Sequence, residues 1–271
     1  MVFRKHPLSG ELIVFAPERA ARRSAFGEQS AERCPFCPGH ESDTPPDVAR
    51  IGEPWRVRAF PNKYPPVTGA EVIVESPRHE AFHDVGHAEE VVRMYVERYR
   101  AHADAAYVAL FKNEGARAGA SIDHVHSQVI PLPFVPPRVE RELRGFAGRC
   151  PLCEPEGHVI RETETLRWLA PVGSSFAWQQ WIVPKRHVSE LSRLDAEELR
   201  ELASLLREAS RATHPLGAYN WMFLNFPGHA EAHCYVDVVP RLAALAGFEL
   251  GTGTFVEIID PAAAARRLRE T

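Results

Sequence analysis

Four of the five cysteines form two Cys-x-x-Cys pairs, Cys34 with Cys37 and Cys150 with Cys153. In a reducing compartment such pairs indicate metal binding or redox chemistry rather than disulfides. A redox pair needs no distant histidine, whereas tetrahedral zinc needs two further ligands for each pair. The candidate ligands are Cys34, Cys37, His79 and His124 for one zinc ion, and Cys150, Cys153, His187 and His233 for a second, with His229 as a competitor of His233.

The spacing of these residues repeats along the chain. His79 lies 42 residues after Cys37, and His124 lies 45 residues after His79. In the second half the corresponding intervals are 34 and 46 residues. Each half therefore consists of a cysteine pair, a strand, a histidine, a helix, a strand and a second histidine. Self-similarity at this scale indicates a duplicated unit, and it favours zinc over redox chemistry.

Only the first half keeps an additional histidine, His126, beside its last candidate ligand. The apolar pattern of residues 123–130 predicts a strand, which would place His124, His126 and Gln128 on one face. Taken alone, a His-x-His sequence is more often an ordinary surface strand. If His124 binds zinc, however, His126 can act as a nucleophile, because an imidazole is largely neutral at cell pH. The second half carries Tyr235 at the corresponding position.

Two other segments could contact a phosphate. The loop from Asn113 to Ser121 is rich in small residues, and Gly119 lets the backbone approach a ligand so that N–H groups face an anion. Arg19 and Arg22 follow a predicted strand near the N-terminus. These arginines either lie in a solvated loop or reach an anionic substrate.

The elements that must position these groups are short strands with one amphipathic helix in each half. One helix is predicted from about residue 88 to residue 103, with Asp84 as its cap and an apolar stripe at helical spacing. Asp195 and Glu198 form a predicted capping box for a second helix that ends near residue 212. Predicted strands cover residues 11–17, 55–60, 71–75, 107–111, 123–130, 166–169, 178–183 and 233–239.

The composition narrows the class of protein. The chain has 271 residues, 45% hydrophobic and 25% charged, which is ordinary for a globular protein of one large or two smaller domains. With a net charge of −4, the chain has no excess of positive charge that would indicate a nucleic-acid-binding protein. No apolar run approaches the roughly 18 residues that span a membrane, and no secretory signal follows the first residues. A cytoplasmic location without a membrane partner is expected.

Several motifs together resemble one protein family. They are an opening strand with an arginine at residues 10–19, a zinc knuckle at 34–41 with Thr-Pro-Pro at 44–46, the pattern Asn-x-Gly-x5-Ser-x2-His-x-His-x-Gln at 113–128, and a glycine-rich segment at 247–253. The sequence resembles the galactose-1-phosphate uridylyltransferase branch of the histidine-triad superfamily, and most of all its ADP-glucose phosphorylases. The resemblance covers nearly the whole chain.

The resemblance implies a double displacement. His126 would attack the α-phosphorus of a nucleoside diphosphate sugar, sugar 1-phosphate would leave, and phosphate or a hexose 1-phosphate would take the nucleotide. The carbonyl of His124 would orient His126. Gln128 would be the second catalytic residue, and because Gln cannot act as a general acid or base, transfer fits better than hydrolysis. The implied substrate-binding residues are Arg19, Arg22, Asn62, Asn113, Gly119, Ser121, Gly247, Phe248 and Glu249.

One departure from the family pattern concerns the acceptor. In the hexose-1-phosphate transferases a Lys lies six residues before the sugar-binding Glu and a Gln lies six residues after it. Around Glu249 these positions hold Ala243 and Phe255. Two contacts to a hexose phosphate are thereby lost, which favours inorganic phosphate as the acceptor. The base of the nucleotide stays open between uracil and adenine, because Asn62 and its neighbours resemble the nucleotide segment of both branches.

The fold implied is α+β, with two tandem histidine-triad-like units at residues 1–145 and 146–271. Each unit would be a mostly antiparallel sheet with a packed helix, and the second would cover part of the site. The family is often dimeric, with the partner contributing to the pocket. Two alternatives remain: a hydrolase or phosphorylase of nucleotide sugars or dinucleoside polyphosphates, and an inactive zinc-stabilised nucleotide-binding module. The inactive module would predict damage in the 113–128 motif, and that motif is intact.

Overall fold

The computed structural model describes residues 2–5, 7–8, 10, 12–16 and 34–271. Arg19 and Arg22 lie outside the described residues. Twelve strands and five α-helices form within the described part of the chain. The strands are β1 (Val2–Lys5), β2 (Leu12–Phe15), β3 (Ala49–Ile51), β4 (Val57–Pro61), β5 (Glu71–Val74), β6 (Tyr107–Glu114), β7 (His126–Leu132), β8 (Gly157–Glu162), β9 (Leu166–Pro171), β10 (Gln180–Pro184), β11 (Tyr219–Leu224) and β12 (Tyr235–Pro240). The helices are α1 (Ala88–Ala101), α2 (Pro137–Leu143), α3 (Ala196–Thr213), α4 (Gly247–Thr252) and α5 (Pro261–Arg269).

Ten strands form one continuous antiparallel sheet. The first half of the chain contributes the order β3-β4-β5-β7-β6, and the second half contributes β8-β9-β10-β12-β11. Both halves use the same arrangement, and they meet where β6 pairs with β11. The remaining strands, β1 and β2, form a separate hairpin. The α+β fold with a mostly antiparallel sheet is confirmed, whereas the boundary between units at residue 145 stays a prediction.

One face of the sheet is covered by α1 and α3, which pack against each other and against the largest apolar core. The predicted stripe of α1 is buried, including Val92 and Tyr95. The capping box of α3 is present, because the Asp195 carboxylate accepts from the Glu198 backbone N–H at 2.9 Å and Glu198 accepts from the Asp195 N–H at 2.8 Å. Asp84 does not cap α1, however, since a short 3-10 turn ends at Asp84 and the helix begins only at Ala88. No helix in the described ranges has both the length and the apolar character that a bilayer crossing requires.

Strand β7 begins at His126, so the prediction that His124 shares a strand face with it was wrong. The His124 ring is held away from the ladder by two thiols on one side and by the Ser76 carbonyl on the other. The second half has the same arrangement, since His233 also lies two residues before the start of its strand, β12. Within β7 the alternation holds, with His126 and Gln128 on the face opposite α1.

Candidate active site and metal centres

The first cysteine pair and two histidines converge in the structure. The ligand atoms of Cys34, Cys37, His79 and His124 all lie within 4.8 Å of one another. The Nδ1 atom of His124 is 3.5 Å from the Cys34 sulfur and 3.7 Å from the Cys37 sulfur. Such separations are those of donors around one tetrahedral ion with metal–ligand bonds of about 2.0–2.3 Å. Residues up to 90 positions apart in sequence thus form one cluster that could hold a metal ion.

Backbone carbonyls fix both imidazoles of this cluster. His124 donates its Nε2–H to the Ser76 carbonyl at 2.8 Å, and His79 donates its Nδ1–H to the Asp123 carbonyl at 2.5 Å. A carbonyl can only accept, so the other nitrogen of each ring carries the lone pair that a metal needs. Burial lowers the pKa of His124 to about 4 and raises that of Cys34 to about 11. A cation that displaces the thiol protons would therefore compensate an otherwise unfavourable buried site.

The second cluster repeats this arrangement. The ligand atoms of Cys150, Cys153, His187 and His233 lie within the same 4.8 Å limit. His187 is oriented by donating its Nε2–H to the Ala230 carbonyl at 2.8 Å. The competing histidine, His229, instead has its Nδ1 atom 3.0 Å from the Glu231 carboxylate. The geometry therefore favours His233 as the fourth member of the second cluster.

His126 lies beside the first cluster and is tied to it through His124. It is buried, and its Nδ1–H donates to the His124 carbonyl at 2.6 Å. The Phe36 ring packs edge-on against the imidazole, with 5.3 Å between the ring centroids. This hydrogen bond places the lone pair on Nε2, and the carbonyl can stabilise positive charge that develops on the ring during attack. His124 thus serves two purposes, because its ring faces the metal cluster and its carbonyl orients the candidate nucleophile.

Asn113 comes next to His126 across the sheet. Lys112 of β6 pairs with Ser127 of β7, so the next residue of β6, Asn113, comes opposite His126. The Asn113 and His126 side chains therefore lie on the same face of the sheet. The Asn113 side-chain oxygen accepts a hydrogen bond from the Asn220 amide at 2.8 Å. Asn220 also donates to the Ala118 carbonyl at 2.9 Å. A residue of the second half therefore orients Asn113 so that its NH2 group can donate to a ligand.

The small-residue loop lies beside Asn113. Gly119 has a φ of +90°, a left-handed conformation that favours glycine, and its missing Cβ leaves room next to the Asn113 amide. Ser121 is half-buried in the same loop, and Gln128 is half-buried two residues beyond His126. Asn113 and Gln128 thus lie on the same face of the sheet as the candidate nucleophile, and the loop that carries Gly119 and Ser121 follows directly after Asn113.

The other predicted substrate contacts lie further along the fold. Asn62 follows β4, where its side-chain oxygen accepts from the Tyr64 N–H at 2.9 Å. Gly247, Phe248 and Glu249 form the first turn of α4, and 53% of Phe248 is exposed. The Glu249 carboxylate accepts from the Ala246 N–H at 3.0 Å, so its hydrogen bond stays within the segment. This hydrogen bond therefore does not link Glu249 to His126.

Three polar residues near the site escaped prediction. Glu75 and Lys112 form an ion pair that is completely buried beneath β7. Their signal in the sequence was a charged residue in or directly after a mostly apolar strand, and a buried charge is tolerated there only when it is paired. Asn220 offered no such signal, because only the pairing of β6 with β11 brings it to Asn113.

The corresponding surface of the second half is closed. Tyr235 and Asp237 occupy the positions of His126 and Gln128. Helix α2 covers them, since Arg138 donates to the Asp237 carboxylate at 2.7 Å and the Tyr235 hydroxyl donates to Glu142 at 2.9 Å. In the second half this position therefore holds a hydrogen-bonded side-chain network, whereas in the first half it holds the His126 imidazole.

Comparison with known proteins gives consistent matches. Residues 59–136 match the family described as galactose-1-phosphate uridyl transferase, N-terminal domain. An ADP-glucose phosphorylase of Arabidopsis thaliana is 30% identical, with the match covering 98% of this chain and 92% of the relative. A galactose-1-phosphate uridylyltransferase of Thermotoga maritima is 28% identical over 100% of this chain and 98% of the relative.

A solved structure extends the match to three dimensions. The crystal structure of an ADP-glucose phosphorylase from Arabidopsis thaliana with bound ADP-glucose is 29% identical to this chain and superposes with a TM-score of 0.83. The superposition covers 100% of this chain and 99% of that structure. The likeness therefore extends over both halves of the sheet.

Proposed function

The chain belongs to the galactose-1-phosphate uridylyltransferase family, and from this premise we propose that it transfers a nucleoside monophosphate from a nucleoside diphosphate sugar by way of His126. The observation that carries the proposal is the hydrogen bond from His126 Nδ1–H to the His124 carbonyl. It directs the nucleophilic lone pair to Nε2 and fixes the ring beside a metal cluster. The proposed substrates are ADP-glucose, which is bound in one solved relative, and UDP-glucose, which the family resemblance implies.

The proposed reaction has two displacements. His126 Nε2 attacks the α-phosphorus, a P–N bond forms, and the bond to the sugar 1-phosphate oxygen breaks, so that this group leaves with the electron pair. An oxygen of the acceptor then attacks the same phosphorus and the P–N bond breaks. Because such transfer depends mainly on positioning and charge stabilisation, donors from Asn113, Ser121 and Gln128 around the α-phosphate would lower the barrier. Arg19, Arg22, Asn62, Gly119 and Gly247–Glu249 are the further proposed substrate contacts.

The preferred acceptor in this proposal is inorganic phosphate. Ala243 and Phe255 stand where the hexose-1-phosphate transferases have a Lys and a Gln. Neither an Ala nor a Phe side chain can donate a hydrogen bond to a sugar phosphate. The product of the second displacement would then be a nucleoside diphosphate, as expected of a phosphorylase.

Mass spectrometry of the intact protein tests this function. The protein is incubated with ADP-glucose and, separately, with UDP-glucose, without an acceptor. We expect a covalent nucleotidyl group at His126 from at least one sugar, and its mass identifies the preferred base. Addition of phosphate or of a hexose 1-phosphate should then discharge the adduct and identify the acceptor. No adduct with either nucleotide sugar would favour an inactive nucleotide-binding module.

Gln128 should determine the fate of the covalent intermediate. An amide cannot take a proton from water at neutral pH, whereas an imidazole can act as a general acid or base. We expect Gln128→His to accelerate hydrolysis of the isolated nucleotidyl-enzyme by about 10²-fold or more, the usual range of such catalysis. The measurement is decay of the adduct in acceptor-free buffer. Gln128→Asn, which keeps an amide, is the control, and equal decay in all three proteins would remove Gln128 from this role.

We propose zinc as the metal of both clusters. Two thiols and two imidazoles in a compact set are the ligands of structural zinc, and all four positions of a tetrahedron would be filled by the protein. Such an ion supports the fold around His126 without contacting the substrate. Cys34, Cys37, His79 and His124 would hold one ion, and Cys150, Cys153, His187 and His233 the other.

A homodimer in the cytoplasm completes the proposal. Apolar side chains in and after α4 are exposed, with Leu250 at 72% and Ile258 at 70%, and a second copy could cover them. A monomer at micromolar concentration in sedimentation equilibrium would contradict the dimer.

The proposed cytoplasmic location follows from the cysteine pairs. A reducing compartment is required because oxidised cysteine pairs could not bind zinc, and fractionation of cells that make the protein tests the location.

A further inference from the structure

Two charged side chains lie completely buried beneath the catalytic strand, on the face opposite the His126 imidazole. Glu75 directly follows β5, and Lys112 belongs to β6, so they flank β7 from both sides. Both side chains are 0% exposed, and 2.7 Å separates the Lys112 ammonium from the Glu75 carboxylate. Taking two charges out of water carries a large desolvation penalty, and an apolar pair of similar volume would often be as stable. Stability alone therefore does not account for this pair.

The pair and its neighbours hold three consecutive residues of the catalytic segment. The Glu75 backbone N–H donates to the Val125 carbonyl at 3.1 Å. Lys112 donates to the His126 carbonyl at 3.2 Å. The Ser127 hydroxyl donates to the Glu75 carboxylate, which also accepts from the Tyr95 hydroxyl. The peptide before the His126 Cα is thus held by the Glu75 backbone N–H, and the peptide after it by the Lys112 ammonium.

We propose that Glu75 and Lys112 are positioning residues for His126, an inference that rests on the proposed role of His126 as the nucleophile. Holding the two adjoining peptide planes fixes the φ and ψ angles of His126 and hence the direction of its imidazole. The same constraint sets the 2.6 Å contact between Nδ1 and the His124 carbonyl. A nucleophile must lie about 3–3.5 Å from the phosphorus with its lone pair aligned, and a displacement of about 1 Å can cost 10²-fold in rate. The pair acts through the backbone and does not touch the substrate.

The decisive variant removes both charges at once. A single replacement would leave an unpaired buried charge and would unfold the protein for reasons unrelated to positioning. The double variant Glu75→Gln with Lys112→Met keeps the volumes and leaves no buried ion. The Glu114 carboxylate, 3.3 Å from the Lys112 ammonium, is partly exposed and can be hydrated instead. Folding is checked by thermal unfolding and by metal content.

The matched control is another largely buried pair on the same strand. Glu71, at the other end of β5, accepts two hydrogen bonds of 2.8 Å from Arg98. It faces Val129 rather than His126. The control variant Glu71→Gln with Arg98→Met therefore removes a largely buried ion pair from the same strand without releasing the His126 carbonyl. The amide oxygen introduced at position 71 can still accept from His102, which lies 2.8 Å from Glu71.

Rapid-quench measurement of nucleotidyl-enzyme formation gives the first readout. We expect the Glu75/Lys112 double variant to form the adduct about 10–100-fold more slowly, with KM for the nucleotide sugar changed by less than about twofold, because positioning affects the chemical step. The Glu71/Arg98 control should form the adduct at the wild-type rate. Ser127→Ala, a milder variant that loses one hydrogen bond to Glu75, should slow adduct formation by about fivefold, and it decides the matter if the double variant does not fold.

A second readout does not depend on the reaction. In spectra of the protein labelled with 15N-histidine, the Nδ1–H resonance of His126 reports its hydrogen bond to the His124 carbonyl. This resonance should shift in the Glu75/Lys112 variant and stay unchanged in the control. A folded double variant with the wild-type rate and resonance, or equal losses in the control, would overturn the inference. Absence of any adduct in the wild-type protein would instead refute the proposed function, and the resonance would still decide on positioning.

Discussion

Replacement of His126 with alanine should leave a folded protein that forms no covalent nucleotidyl adduct. We expect turnover to fall by about 10⁵–10⁶-fold, the order of loss seen when an enzyme loses its nucleophile. The physical reason is local. The neighbouring imidazole of His124 cannot take over, because its nitrogens face the thiols and the Ser76 carbonyl. The substitution removes the ring while the His124 carbonyl and the side chains of the first Cys–His cluster stay in place.

The measurement is retention of labelled nucleotide after denaturation and gel filtration. Tyr235→Phe is the matched control, because Tyr235 is the residue of the second half that corresponds to His126 and its hydroxyl hydrogen-bonds Glu142 and Arg138 of α2. The control should retain label as the wild-type protein does. An alanine variant that keeps label would assign the nucleophile to another residue.

The second large effect concerns the two Cys–His clusters and the zinc proposed for them. We expect about two zinc ions per chain in protein purified without chelator. Cys34→Ser should lose one ion and slow adduct formation by about 10–100-fold, the usual cost of disturbing a metal-supported site. The reason is that release of the His124 ring also releases the carbonyl that orients His126. Cys150→Ser should lose the other ion and lower the free energy of unfolding, with adduct formation close to the wild-type rate.

Elemental analysis, thermal unfolding and single-turnover rates of the wild-type protein, Cys34→Ser and Cys150→Ser test whether the two clusters differ in their effect on the reaction. Both replaced sulfurs belong to the first cysteine of their pair, so the chemical change is the same in each half. One ion or none in the wild-type protein would contradict the duplicated metal site. Equal rate losses in the two variants would show that the first cluster has no special link to His126.

Features that depend on local patterning could be predicted from the sequence. The repeated intervals between cysteines and histidines indicated both clusters, and the structure brings each set together. The capping box at Asp195 and the apolar stripes of both long helices were also read correctly. These signals rely on spacing within one element or on a duplication, so a single sequence contains them.

Features that depend on distant contacts could not be predicted. The start of β7 was misplaced because two thiols 87 and 90 residues away hold His124 outside the ladder. The partner of Asn113 was missed because it lies 107 residues later in the sequence. In both cases a tertiary interaction decides the local conformation, and no pattern within the segment itself encodes it.

The junction between β6 and β11 has a consequence for how such a chain can evolve. If the halves were separate proteins, each of these strands would be a bare sheet edge, and such edges tend to pair with other chains. Joining the halves hides both edges permanently. The halves then depend on each other, since Asn220 of the second half orients Asn113 beside His126 in the first. We expect the sequence of the second half to change more freely at Tyr235 than at Asn220.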